Sequence, residues 1–126
     1  MQFSTAMPNR LFTDGDLAAV SSGSVLAAFF RISAVTAFSP DDHRLVHHAE
    51  ELIGKSEKFR RERLASRIML ADFLRSTAGN PLPPFSFGRY GKPCFTGADM
   101  PFFSISHSGE HILLTLSQKP VGADVE

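Results

Sequence analysis

"PFFSISHSGEHILLTLSQKPVGADVE", residues 101–126, carries β character along most of its length. Three short runs, "FFSIS", "HILLTLS" and "PVGADVE", are divided by "HSGE" and "QKP". Connections this short suit neighbouring antiparallel strands, so the stretch predicts a β-meander. Along a strand, residues two apart share a face and adjacent residues point to opposite faces. Asp124 and Glu126 are therefore expected side by side, whereas Ser106 and His107 are not. That separation rules out a direct nucleophile–base pair between Ser106 and His107, and with it a hydrolase triad built on them.

Upstream the texture is helical. "SPDD" (39–42) reads as a helix start: Ser39 caps, Pro40 suits the first turn, and Asp42 completes a capping-box spacing. Leu45, Ala49, Leu52 and Ile53 follow at helical spacing as far as Gly54. A second helix is expected from about Ser56 to Ser76, with Phe59, Leu64, Ile68, Met69 and Phe73 inward, until "TAGNPLPP" (77–84) ends it. "SVLAAFFRIS" (24–33) reads as a buried strand, with its Ala pair leaving a helix as the alternative, and residues 1–23 as an irregular lead-in. Strand, two helices, a Pro-rich link and a meander make an α+β pattern. At 126 residues the chain is the size of one domain, or of one lobe of a larger one.

An apolar content of 43 % suffices for a core. Thirteen basic and thirteen acidic residues cancel, so no global field marks a nucleic-acid or membrane binder. The balance hides a local excess. Residues 55–75 hold seven cations (Lys55, Lys58, Arg60, Arg61, Arg63, Arg67, Arg75) against three anions (Glu57, Glu62, Asp72), a net of +4. One cysteine, Cys94, excludes an internal disulfide and suits a reducing compartment. The longest apolar run, Val25–Phe30, is far too short to span a bilayer, and the chain shows no leader pattern, so a cytoplasmic location is expected.

Several groups could carry chemistry. A same-face carboxylate pair at Asp124 and Glu126 suits Mg²⁺ or Mn²⁺, although a solvated strand edge presents the same pattern. "SHSG" (106–109) fits a polar turn, or anion binding through His107 and the serine hydroxyls. Arg60, Arg63 and Arg67 stand three and four apart and share a helical face. Such a stripe is either a solvated charged face or a polyphosphate clamp, since each guanidinium offers a planar fork of donors. His43 and His47 are four apart, but no third ligand type accompanies them. "RYGKPCF" (89–95) holds Lys92 on a constrained loop, either as a site lysine or as a plain turn lysine.

Read together, "GKP" (91–93), "FSISHSG" (103–109) and "VGADVE" (121–126), after an Arg-bearing helix, resemble the 4'-phosphopantetheinyl transferases of the larger, surfactin-synthetase-activating type. The likeness runs from about Phe59 to Glu126, and Ala123 departs from it by replacing a larger aliphatic. The resemblance implies transfer of the phosphopantetheine arm of coenzyme A to a serine of an acyl or peptidyl carrier protein. By motif position, Asp124 and Glu126 would hold Mg²⁺ (or Mn²⁺), and Lys92, Ser106 and His107 would contact the nucleotide phosphates. Arg67 would lie near the 3'-phosphate, with Arg60 and Arg63 as further candidate phosphate contacts. The family fold is two pseudo-symmetric α+β halves with coenzyme A between them. Residues 1–126 correspond to the N-terminal half, and the family's second half, with its "Trp/Phe-x-x-Lys-Glu" helix, is not among them. Pairing with that half or with a second copy is then expected, and the isolated chain is expected to be inactive. A non-catalytic module that binds coenzyme A or a carrier protein, and an unrelated α+β interaction domain, are the alternative readings.

Overall fold

A computed structural model of the chain describes residues 10–36, 43–52, 56–97 and 99–119. Its elements are α1 (Asp14–Ser21), β1 (Leu26–Arg31), α2 (Ile32–Thr36), a 3₁₀ helix (His43–Leu52) and α3 (Glu57–Phe73). There follow β2 (Ser86–Phe87), a 3₁₀ turn (Arg89–Gly91), β3 (Pro93–Cys94), β4 (Phe102–Ser108) and β5 (His111–Ser117). Helices with small antiparallel sheets make this an α+β fold, as expected. Among the described residues no helix is long and apolar enough to cross a membrane.

The centre of the fold is α3. Ser56 caps it by accepting from the Phe59 N–H at 3.2 Å. From Ala65 to Phe73 every residue is buried, including the polar Ser66, Arg67 and Asp72. A helix hidden on all sides must find partners for its charges within the protein. The helix is shorter than its sequence suggests. Ser76 N–H bonds to the Ala71 carbonyl and Arg75 N–H to that of Asp72, the paired closure of a Schellman motif. Arg75, not a glycine, takes the left-handed position, with φ of 56°. Gly79 and the prolines that follow therefore do not end the helix.

The main sheet runs in the order β1–β5–β4, antiparallel throughout. The hairpin β4–β5 turns on Gly109 and Glu110, with Gly109 at a φ of 58° that favours glycine. Here the meander expectation is corrected: β1 lies along the other edge of β5, where a third meander strand is expected, and the run "PVGADVE" (120–126) lies outside the described residues. Register sets the faces. Phe103, Ile105 and His107 pair with Leu116, Leu114 and Ile112, which pair in turn with Leu26, Ala28 and Phe30. Ala28, Phe103, Ile112, Leu114 and Leu116 on this face are buried, and α3 packs on β5. His107 thus extends the core-facing row of β4, while Ser104 and Ser106 belong to the opposite face.

Two further expectations change. The lead-in is not irregular throughout, because Thr13 and Asp16 form a complete capping box that starts α1. Just before it, the N–H groups of Leu11 and Phe12 both donate to the buried Asp72 carboxylate at 2.9 Å. The first expected helix is 3₁₀ where described, with Leu45 off helical geometry (φ −103°, ψ 20°). Its cap at Ser39–Asp42 and Ile53 lie outside the described residues. Three residues per turn aligns Leu45, His48 and Glu51 in one row, instead of Leu45, Ala49 and Leu52. Accordingly Leu45 and His48 are buried and Ala49 is exposed.

Asp72→Ala is expected to destabilise the fold by about 2–4 kcal/mol, since it strands two backbone donors and removes charge-assisted bonds. Asp72→Asn, which keeps an acceptor, should lose less. Urea unfolding of the two variants measures the difference.

Candidate functional site

One cleft of about 200 Å³ opens between α3, the core-facing row of β4 and the β2–β3 unit. Phe59, Glu62, Arg63, Ser66 and Arg67 line it from α3, at the three- and four-residue spacing of a single helical face. Ile105 and His107 come from β4, and Phe87, Gly91 and Pro93 from the β2–β3 unit. The loop there is unusual in its backbone, with Tyr90 and Gly91 both left-handed (φ 69° and 75°). For a tyrosine that conformation is strained, and such strain gathers at functional loops. Lys92 is exposed between the two lining residues Gly91 and Pro93, and its carbonyl accepts from the Gly88 N–H at 2.9 Å.

Arg67 forms the inner wall. Its side chain is 6 % exposed, and its Nε and Nη2 donate to the two oxygens of Glu51 at 3.1 and 2.9 Å. Nη1 donates to Ser66 Oγ at 2.9 Å, and the guanidinium lies 4.8 Å from the Phe85 ring centroid. A planar fork against a carboxylate fixes the side chain more firmly than a point charge would. Arg63 is more open. It is 32 % exposed, 3.8 Å from the same Glu51, and its guanidinium sits 4.3 Å over the Phe59 ring. Burial and the neighbouring Arg67 charge lower its pKa, with Glu51 acting in opposition.

Glu51 therefore serves several cations. Burial raises its pKa, but the hydrogen bonds and charges of Arg67 and His48 outweigh this and leave it below the ordinary value. His48 is buried with Nδ1 2.8 Å from Glu51 and Nε2 2.8 Å from the Pro83 carbonyl oxygen. A carbonyl oxygen only accepts, so Nε2–H donates to it. His48 is thus a positioned core residue. Among the described residues no three His, Cys, Asp or Glu side chains are grouped as a metal site.

Of the residues singled out from the sequence, Arg63, Arg67 and His107 line one cleft, with Lys92 at its rim. His107 is half exposed, and its Nδ1 lies 2.8 Å from Glu62 Oε2. Arg60 is exposed and is not part of the lining, and Ser106 lies on the other face of β4. Asp124 and Glu126 are outside the described residues. Sequence reasoning missed Glu51, Glu62 and His48. The period-three row 45–48–51 was a visible signal for two of them, but an α-helical template hides it.

Because the Glu51 pKa is lowered on folding, its stabilising contribution is complete above the ordinary carboxylate value of 4.5 and fades as pH falls through the lower, folded value. Glu51→Gln should then be less stable than the parent at neutral pH, with the gap narrowing in acid. Thermal melts over a pH series test this, and a gap that widens in acid would contradict it.

Comparison with known proteins gives the site a context. A 4'-phosphopantetheinyl transferase of Bacillus subtilis is 33 % identical over 93 residues, covering 68 % of this chain and 42 % of that protein. The 4'-phosphopantetheinyl transferase AcpT of Escherichia coli (strain K12) is 46 % identical over 70 residues, covering 53 % of this chain and 33 % of its own length. The protein of the same name from Salmonella typhi is 42 % identical over 64 residues, covering 50 % and 31 % respectively. The chain thus matches between 31 % and 42 % of the length of these curated relatives. No family model and no solved structure matches it.

Proposed function

We infer, from a chain that is homologous to 4'-phosphopantetheinyl transferases over about half its length, that its cleft receives the phosphates of coenzyme A in such a transfer. One observation carries the reading: the basic helix, the "GKP" loop and the "SHSG" strand, far apart in sequence, line a single cleft. Displacement at a phosphorus of a crowded polyanion requires its charge to be offset and both partners held in line. Arg63 is the cleft cation with the weakest carboxylate partner, so it is the one freest to meet a phosphate. Arg67, held by Glu51, offers directed donors more than unbalanced charge. Lys92 approaches from the rim.

The Mg²⁺ implied by the resemblance would be held by Asp124 and Glu126. Two carboxylates on alternate residues are the right donor chemistry for that ion beside a pyrophosphate. When bound, the ion would offset charge on the pyrophosphate. These residues would supply one half of a site whose other half comes from a similar α+β unit, on the same or another polypeptide. The acceptor would be a serine of an acyl or peptidyl carrier protein. A module that binds coenzyme A without transfer is the second reading, since Arg63, Arg67 and His107 line the cleft without help from a second α+β unit.

Coenzyme A should raise the melting temperature, because a ligand of the folded state stabilises it. Arg63→Gln should weaken that binding roughly tenfold, the value of one charge-assisted hydrogen bond, while Arg60→Gln leaves it nearly unchanged. Equal effects from the two would move the phosphates out of the cleft. Mg²⁺ should strengthen coenzyme A binding in the parent and not in Asp124→Asn, as read by calorimetric titration. Mass measurement of a carrier protein incubated with chain, coenzyme A and Mg²⁺ separates transfer from binding alone.

A further inference from the structure

We propose that Glu62 is a positioning residue for His107, one that fixes the ring and its tautomer so that Nε2 is the nitrogen presented to a ligand in the cleft. The inference rests on the reading of the cleft as a phosphate site and adds a residue to it. His107 lies near the end of β4, and its side chain is 52 % exposed. A ring so exposed would ordinarily sample several orientations. Here Nδ1 is 2.8 Å from Glu62 Oε2, and the Glu62 side chain, on α3, is only 13 % exposed. Both residues line the cleft.

The chemistry follows from what each atom can do. An ionised carboxylate only accepts, so the proton between the two belongs to Nδ1. The neutral ring then has its lone pair on Nε2. When a phosphate oxygen, another acceptor, takes its place at Nε2, the ring takes up a proton from water or from the phosphate and carries one on each nitrogen. Glu62 stands behind the resulting positive charge, as a carboxylate does behind many functional histidines. Glu51 behind Arg67 is the same arrangement on the other wall. Each backed group is directed at the cleft, and Glu51 and Glu62 limit repulsion among Arg63, Arg67 and His107. A mere latch between α3 and β4 would need the ion pair but would not need a particular tautomer.

Long-range ¹H–¹⁵N spectra of the ligand-free, ¹⁵N-labelled chain, at a pH where the ring is neutral, read the tautomer directly. The expected result is a proton on Nδ1 of His107 in the parent and in Glu62→Gln, whose amide oxygen still accepts. Glu62→Ala should revert to the Nε2–H form that free imidazole prefers in water. Coenzyme A affinity should fall about tenfold in Glu62→Ala, and that loss should vanish in a His107→Ala background. An Nε2–H tautomer in the parent overturns the proposal, and this needs no variant if Glu62→Ala fails to fold. An unchanged tautomer in Glu62→Ala, or an affinity loss that persists without His107, also overturns it. If coenzyme A does not bind the parent, the reading of the cleft fails, while the tautomer comparison still decides the role of Glu62.

Discussion

Arg67 brings a guanidinium into the middle of α3, at a position where the whole residue is only 5 % exposed. An unpaired charge there would be penalised by several kcal/mol, in order-of-magnitude terms, so the fold must deliver a carboxylate to it. Glu51 meets that demand, and the rest of the arrangement follows from where Glu51 has to be. Its 3₁₀ row aligns His48 beneath it, and His48 holds the Pro83 carbonyl. The Leu82 N–H donates to the Arg44 carbonyl at 2.8 Å, which fastens the same segment. Phe85 then lies between His48 and Arg67, and its ring contacts Phe95 and Phe103. A single buried ion pair in this way registers helix, loop and sheet against one another.

The same arrangement makes the cleft an ordered array instead of a pool of positive charge. Seven cations between residues 55 and 75 suggested an electrostatic funnel. In the fold three of them are assigned separate tasks: Arg67 is locked to Glu51, Arg61 pairs with Glu110 at the hairpin, and Arg75 reaches Asp14. Lining the cleft itself are Arg63 and the backed nitrogens of Arg67 and His107. Directed donors of this kind favour a polyanion of defined shape over any anion of equal charge.

Much of the scaffold was legible in the chain. Ser56 and the apolar spacing of Phe59 to Phe73 marked α3, because capping and burial periodicity determine it; "SVLAAFFRIS" marked the place of β1 but not its setting, since only Ala28 of Leu26–Arg31 is buried and Ile32 and Ser33 already belong to α2. What sequence could not supply was set by tertiary contact. The termination at Phe73 uses an arginine where a glycine was expected, with Arg75 joined to Asp14 and Asp72. The 3₁₀ row at 43–52 is held by partners sixteen and thirty-five residues away, at Arg67 and Pro83. The site was half visible. Cations stand out in a sequence, whereas Glu51 and Glu62 look like ordinary charge balance until their partners are seen.

The strand order has a kinetic side. β4 and β5 close across two residues, so the hairpin can form within microseconds of being free to do so. β1 reaches the other edge of β5 by pairing Leu26 with Leu116, a separation of ninety positions (116 − 26). Closing a loop of that length is entropically unfavourable until enough other contacts shorten it, and α3 lies between the two partners in sequence. β1 is therefore a late arrival. During synthesis its apolar run Leu26–Phe30 leaves the ribosome well before the strand that covers its edge, and must wait, exposed, for residues 111–117.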